Sequence, residues 1–147
     1  MLVNSSKCDF GWEAVDFNLV SIDNNFYNLN NASGKKGTVV AFICNHCPYV
    51  QDIAPRLSFE AKELKKMDIN VISIMSNDVE SHPEDSFENM KIFSRKYDFN
   101  FPYLYDNSQS VAKNYKAVCT PDFFGFNADL KLQYRGRIDS GVIKNKD

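Results

Sequence analysis

The 147-residue sequence has few cysteines and no large excess of either charge, and each shortage excludes a class of protein. Its formal net charge is −2, so it lacks the broad basic field with which proteins attract nucleic acid, and nucleic acid is not an expected partner. No apolar run approaches the roughly 20 residues of a membrane-spanning helix, so no membrane association is expected. Four cysteines are too few for a small scaffold held by disulfides.

The N-terminus also lacks a signal sequence, because residues 1–12 contain no continuous apolar segment behind a basic start. We therefore expect a cytoplasmic protein, in which any disulfide is transient and catalytic. With 44% apolar and 24% charged residues, the composition is that of one globular domain over residues 1–147. Internal repeats and low-complexity segments are absent, so a second domain is not expected.

The most informative motif is Cys44-Asn45-His46-Cys47, which follows a run of apolar residues and precedes a helical pattern that begins at Pro48. If the helix starts near residue 45, the amides of His46 and Cys47 point at the Cys44 sulfur and favour its thiolate. A protonated His46 adds to this effect. We therefore predict that Cys44 is the attacking thiol and Cys47 the resolving thiol.

A C-x-x-C motif is also half of a zinc site, so a non-enzymatic module that binds metal or protein through Cys44, Cys47 and His46 is one alternative. A complete zinc site needs further ligands, and the remaining candidates stand alone in the sequence: Cys8, His82 and Cys119. Redox chemistry is favoured over metal binding for this reason, and no metal or cofactor is expected. Cys119 is expected to be a buried core residue.

The pattern of apolar residues predicts an α/β fold with a mixed β-sheet. The predicted elements are strands at 17–22, 26–29 and 38–43, a helix at 48–67, a strand at 69–75, helices from 81 and at 108–115, and strands at 122–126 and 132–138. The first two strands and the last two form hairpins, and the helices flank the sheet. Ser81 and Glu84 fit a capping box at the start of the second long helix.

Several separated segments resemble, in the same order, the peroxiredoxin-like, redoxin-type (AhpC/TSA) branch of the thioredoxin superfamily. The segments are residues 42–50, 76–78, 83–90, 101–106 and 119–124, and the resemblance covers about residues 14–140. It implies a thioredoxin-like fold with an N-terminal hairpin and a thiol–disulfide oxidoreductase activity. The implied partners are a disulfide-containing protein or small molecule and a thiol reductant that recycles the enzyme.

The resemblance also implies a cis-proline in the loop opposite the two cysteines, and Thr120-Pro121 matches that position. A cis-proline removes an amide donor and leaves the backbone of the preceding residue exposed beside the sulfurs. Thr120 and Pro121 are therefore expected to contact a bound substrate, together with Asn45 from the cysteine motif.

The sequence departs from two patterns in the superfamily. The buried acid that helps thioredoxin deprotonate its second cysteine would fall at Thr38, so proton transfer from Cys47 is expected to use water or the adjacent histidine. The peroxidatic cysteine of peroxiredoxins aligns with Cys47, but Cys44 replaces the threonine that orients peroxide. Thiol peroxidase activity is therefore the runner-up, with Arg135 or Arg137 as its candidate cation.

The sequence ends at Asp147, soon after the last predicted strand, where the resembling proteins usually continue into another helix. We expect either a truncation or a partner that covers the apolar face of the sheet. Association of two copies through that face is one prediction.

Overall fold

Strand β3, Gly37–Phe42, runs through the interior of the fold and is buried along its whole length. The strands are β1 Leu19–Ser21, β2 Phe26–Tyr27, β3 Gly37–Phe42, β4 Ile69–Met75, β5 Tyr103–Tyr105, β6 Asp122–Asn127 and β7 Leu132–Gly136. In the computed structural model, which describes residues 9–117 and 120–136, they form one sheet in the order β2-β1-β5-β4-β3-β6-β7. Strands β3, β4 and β5 run parallel and the other pairs are antiparallel, so the predicted mixed sheet is confirmed.

Helices cover both faces of the sheet. They are α1 Leu29–Ala32, α2 Pro48–Lys66, α3 Phe87–Lys96 and α4 Ser110–Tyr115. Because side chains alternate along β3, Val39 and Ala41 pack into one core with α2 and α3, whereas Val40 and Phe42 pack with α1 and α4. Within the described residues, no helix combines the length and apolar character needed to cross a membrane.

Two short elements differ from the prediction. Strand β5 was not predicted, because its three residues are too few to show a period, and pairing with β1 and β4 is what makes them a strand. Helix α1 is not among the predicted elements, and Asn28 and Asn31 form a reciprocal cap that holds its single turn.

The predicted capping box at Ser81 and Glu84 is wrong. Residues Pro83–Asp85 form a 3₁₀ turn, and α3 begins only after Ser86, whose hydroxyl accepts a hydrogen bond from the amide of Asn89 at 3.2 Å. Asp85 therefore lies before α3 and not in its first turn, and its side chain is fully buried.

The parallel strands bring three loops to one end of the sheet. The loops that follow β3, β4 and β5 begin at residues 43, 76 and 106, and they meet because carboxyl ends of parallel strands share an edge. The cysteine motif lies in the first of these loops.

Candidate active site

Cys44 and Cys47 lie between β3 and α2, and both are free thiols. Helix α2 begins at Pro48, as the apolar pattern predicts, with Cys47 as its N-cap residue. A start near residue 45, on which the expected stabilisation of the Cys44 thiolate depends, does not occur. Pro48 suits this first position because its missing amide would have had no partner there. The motif therefore precedes the helix instead of forming its first turn.

The two thiols differ in exposure. Cys44 is 1% exposed, whereas Cys47 is half-buried. Burial raises the pKa of Cys44 to about 11, the nearby charges of Asp85 and Cys47 add to the rise, and hydrogen bonds from Thr120 and the Cys47 amide offset only part of it. The prediction that Cys44 ionises easily is therefore wrong, since the free-energy cost of burying its anion exceeds the effect of one amide donor.

Most amides of the cysteine loop point at a buried carboxylate instead of the Cys44 sulfur. Asp85 Oδ1 accepts hydrogen bonds from the amides of Asn45 at 2.6 Å and His46 at 3.2 Å. Its Oδ2 accepts a hydrogen bond from Asn77 Nδ2 at 3.0 Å. The anion that the free amides stabilise is thus the Asp85 carboxylate, and the amide of Cys47 is the one that reaches Cys44.

His46 is held between Asp85 and a second imidazole. Its Nδ1 lies 2.5 Å from Asp85 Oδ2, and its side chain is 28% exposed. The His46 ring also stacks on that of His82, with centroids 4.3 Å apart and planes inclined by 8°. His82 was expected to be an isolated surface histidine; it is exposed, but it covers one face of His46.

Among residues 9–117 and 120–136, Cys44, His46 and Asp85 form a group that could hold a metal ion, since one ligand atom of each lies within 4.8 Å of the others. However, a direct hydrogen bond already joins His46 Nδ1 to Asp85 Oδ2 at 2.5 Å, which is shorter than the spacing of two ligands around an ion. While this bond is kept, His46 could bind a metal ion only through its other ring nitrogen, Nε2.

Thr120 lies against both sulfurs, and its peptide bond to Pro121 is cis. The Cys44 sulfur is 3.5 Å from the Thr120 hydroxyl, and the Cys47 thiol donates to the Thr120 carbonyl at 3.8 Å. The structure thus brings the cysteine motif together with the loop that the resemblance placed opposite it.

Asn45 does not fit its predicted role as a substrate contact. Its side chain is buried, with Nδ2 donating to the Glu84 carbonyl at 3.0 Å and Oδ1 accepting from the Tyr103 hydroxyl at 2.8 Å. Both polar ends are bonded within the protein, so Asn45 fixes the loop to its neighbours instead of facing a substrate.

A cavity of about 350 Å³ is lined by Asn77, Lys113, Thr120 and other residues, but by neither cysteine. It is related to the cysteines through its lining, because Asn77 bonds to Asp85 and Thr120 contacts both sulfurs. A second cavity of about 410 Å³ is lined by Lys65, Asn70 and other residues, and Thr120 is not among them. The chemistry therefore favours the first cavity as the place for a substrate.

The candidate cation of the peroxidase alternative is engaged elsewhere. Arg135 donates from Nη2 to the Lys116 carbonyl at 2.7 Å and to Asp122 Oδ2 at 3.0 Å, and its guanidinium lies 4.5 Å from the centre of the Phe124 ring. None of these contacts involves either cysteine. The predictions on Arg137, Cys8 and Cys119 fall outside the described residues.

Sequence reasoning missed Asp85 as a functional residue. Acidic residues before a helix are ordinary first-turn residues, so the pair Glu84-Asp85 gave no signal of burial. Its partners lie about 40 residues earlier in the chain, which only the fold brings near.

The AhpC/TSA family matches residues 10–135 of the chain, and no curated protein matches it. Among solved structures, an uncharacterized conserved protein from Geobacillus kaustophilus is 42% identical, with a TM-score of 0.90 over 94% of this chain and 74% of that one. A hypothetical protein from Sinorhizobium meliloti is 37% identical, with a TM-score of 0.89 over 93% of this chain and 75% of that one.

The fold has more distant likenesses. The thioredoxin domain of a thiol-disulfide oxidoreductase from Bacteroides vulgatus is 15% identical, with a TM-score of 0.78 over 95% of this chain and 96% of that one, and this likeness concerns the fold alone. The expected thioredoxin-like fold is confirmed. Because the family match also spans most of the sequence, the chain belongs to the AhpC/TSA family.

Proposed function

We propose that this chain is a thiol–disulfide oxidoreductase in which Cys44 and Cys47 alternate between two thiols and one disulfide. The observation that carries this proposal is the position of both free thiols against Thr120, a residue that lines a cavity. Thiol–disulfide exchange needs a reachable thiol, a second thiol nearby and room for a substrate, and these features supply all three. Membership of the AhpC/TSA family supports the same class of reaction.

We further propose that Cys47 attacks first, which reverses the order predicted from the sequence. A thiol must reach the substrate disulfide in order to attack it, and Cys47 is half-buried while Cys44 is 1% exposed. Cys47 is also the N-cap residue of α2, at the positive end of the helix dipole, and its side chain makes no capping hydrogen bond.

In this order the Cys47 thiolate displaces one sulfur of the substrate disulfide, forming a mixed disulfide and releasing one thiolate. Cys44 then loses its proton and attacks the Cys47 sulfur, so that the internal disulfide forms and the second substrate sulfur leaves as a thiolate. The substrate gains two electrons, and a thiol reductant later returns two electrons to the protein.

The cavity beside Thr120 supports a binding place for the group that carries the disulfide, either a protein segment or a small molecule. Thr120 and Pro121 stay the proposed substrate contacts. The cytoplasmic location and the association of two copies, both expected from the sequence, also stay predictions.

The test of the proposal is the trapping of the intermediate. Reduced Cys44→Ser should form a stable mixed disulfide with a small aromatic disulfide, detectable as an adduct on Cys47 by mass spectrometry. Cys47→Ser should form such an adduct at least about tenfold more slowly, because Cys44 is buried. Cys119→Ser is the matched control and should exchange like the wild type.

The opposite trapping pattern would restore Cys44 as the attacking thiol, and loss of exchange in Cys119→Ser would remove Cys44 from the resolving role. No turnover of any disulfide by the wild type would overturn the oxidoreductase proposal itself.

Thiol peroxidase activity is the second candidate, favoured by the half-buried thiol at the position of the peroxidatic cysteine. It predicts that peroxide oxidises reduced Cys47 at a rate well above that of a free thiol. A rate equal to that of free cysteine would remove this candidate.

A further inference from the structure

Cys44 must lose its proton in the proposed reaction, whether it attacks first or second. Cys44 is 1% exposed, so bulk water has little access to that proton. Thioredoxin places a buried acid at the position of Thr38, but Thr38 in this chain is a buried hydroxyl that accepts a hydrogen bond from the Gly34 amide at 3.1 Å. Thr38 therefore cannot take the proton as that acid does.

The structure places such a group beside Cys44 from another part of the chain. One ring nitrogen of His46 and one oxygen of Asp85 lie within 4.8 Å of the Cys44 sulfur and of each other. Asp85 is held rigidly, because two backbone amides and Asn77 bond to its carboxylate. The bond from His46 Nδ1 to Asp85 then favours the tautomer in which Nε2 carries a free lone pair.

We propose that His46, oriented by Asp85, accepts the proton of Cys44 when Cys44 attacks the mixed disulfide. This inference rests on the proposed oxidoreductase function and adds a residue to it. The S–H bond of Cys44 breaks and its proton moves to His46, while the bond from Cys44 to Cys47 forms and the bond from Cys47 to the substrate breaks. The departing substrate thiolate takes the proton back from His46, so the step needs no further reactant.

In this scheme Asp85 is a positioning residue. It fixes the ring of His46 and stabilises the imidazolium that forms for the duration of the step.

A purely electrostatic role for Asp85 predicts the opposite effect on rate. The negative charge of Asp85 disfavours the thiolate of Cys44, so its removal alone would increase the thiolate population and speed the attack. Removal of an orienting residue for a proton acceptor would slow the attack. The direction of the change therefore separates the two explanations.

The experiment uses a chromogenic aromatic disulfide mixed with one equivalent of reduced protein in a stopped-flow instrument. The first released thiolate reports the attack and the second reports resolution by Cys44, whose rate is independent of the concentration of the disulfide. Asp85→Asn and His46→Gln should each slow the second phase by about a hundredfold, the usual size of a general-base contribution.

The matched control is Asp106→Asn. Asp106 is the same buried residue type at the same end of the sheet, but its Oδ2 bonds to Ser76 and the Ala112 amide. Both phases should be unchanged in Asp106→Asn. His46→Gln keeps the buried carboxylate and changes a side chain that is 28% exposed, so it remains informative if Asp85→Asn fails to fold.

The pH dependence of the second phase distinguishes a role in proton transfer from a purely structural role, which would leave that dependence unchanged. The second phase of Asp85→Asn and His46→Gln should rise about tenfold per pH unit, as expected when hydroxide must take the proton, and the wild-type phase should rise less steeply. The titratable groups that face this pair are Cys47 from the cysteine loop, His82 just before the 3₁₀ turn and Tyr103 from β5. The Asp106→Asn profile controls for their ionisation.

A second phase in His46→Gln as fast as that of the wild type would overturn the inference. A faster second phase in Asp85→Asn would show that Asp85 acts only through its charge. A wild type that releases no second thiolate would instead overturn the proposed function, so the two failures are distinguishable.

Discussion

Two buried aspartates, Asp85 and Asp106, hold two loops at the same end of the sheet, but their neighbours differ. Both are 0% exposed. Asp106 accepts hydrogen bonds from the Ser76 hydroxyl at 2.8 Å and from the amide of Ala112 at 3.0 Å, which fastens the start of α4. Asp85 binds the amides that precede α2 in a similar way, but it also bonds to an imidazole.

The difference teaches what a buried carboxylate needs in order to take part in chemistry. Each aspartate alone satisfies amides that would otherwise lack partners, which is a structural role. Asp85 has a thiol and an imidazole within 4.8 Å, so a proton can move between groups beside it. The hydrogen-bond partners of Asp106, a serine hydroxyl and a backbone amide, offer no such proton transfer.

The largest expected effect is on the ionisation of Cys44. With a pKa of about 11, roughly one Cys44 in ten thousand is ionised at pH 7 in the folded protein. Asp85→Asn should move this ionisation to lower pH, because it removes a negative charge, and Asp106→Asn should leave it unchanged. The ultraviolet absorbance of the thiolate, taken as the difference between Cys47→Ser and the Cys44→Ser/Cys47→Ser double variant, measures both.

The same pKa gives the sign of a stability change. A free thiol has a pKa near 9.0, so the unfolded chain releases this proton before the folded chain does. The contribution of Cys44 to the free energy of unfolding should be intact below about pH 9 and lost as the pH rises through 11. Cys44→Ala should lack this part of the pH dependence, and an identical alkaline slope in the two proteins would contradict the burial argument.

Removing one donor from each aspartate should sharpen the comparison. Asn77→Ala takes a hydrogen bond from Asp85, and Ser76→Ala takes one from Asp106. Each should lower the free energy of unfolding by about 2 kcal/mol, since each bond joins a charged acceptor in the interior. Denaturant unfolding measures this loss.

The rate of release of the second thiolate should differ between Asn77→Ala and Ser76→Ala, although their losses of stability should be similar. Asn77→Ala should slow the release of the second thiolate, because Asp85 then holds His46 less firmly, whereas Ser76→Ala should leave that rate unchanged. Equal rates in the two variants would mean that the anchoring of Asp85 does not matter for the reaction.

The smallest expected effect concerns His82, whose imidazole stacks on His46 beside Asp85 and has no counterpart among the contacts given above for Asp106. His82→Ala removes the ring that stacks on His46 and should lower the free energy of unfolding by about 0.5 kcal/mol, since His82 is exposed. His82→Phe keeps a stacking ring and should restore most of this loss. A larger loss in His82→Phe than in His82→Ala would show that the contact is not a ring stack.

The sequence allowed much of the fold to be predicted, because long elements carry a strong local period. Strand β4 is a run of β-branched residues and α2 repeats its apolar residues at helical spacing, so both were predicted close to their observed bounds. Strand β5 was missed because three residues show no period. The start of α3 was misplaced because Ser81 and Ser86 are equally good caps locally, and the burial of Asp85 selects the second.

The sequence predicted which residues belong to the candidate site, but not how their charges interact. The sequence located Cys44, Cys47 and His46 by their spacing, and the resemblance added Thr120 and Pro121, which the fold does bring against the sulfurs. The electrostatics were predicted wrongly, since a local argument assigns the free amides to the nearest sulfur. Nothing in the local sequence indicates that a carboxylate 39 or 40 residues later competes for them.

By itself, the sequence determined that two thiols stand at the end of a central strand and before the proline that starts a helix, because strand, turn and helix are local choices of the chain. Only the tertiary structure decided which thiol is buried and which anion receives the amides of the loop. Burial and the pairing of charges depend on contacts between distant segments, and those contacts made Cys44 a weak acid and Asp85 the carboxylate beside it.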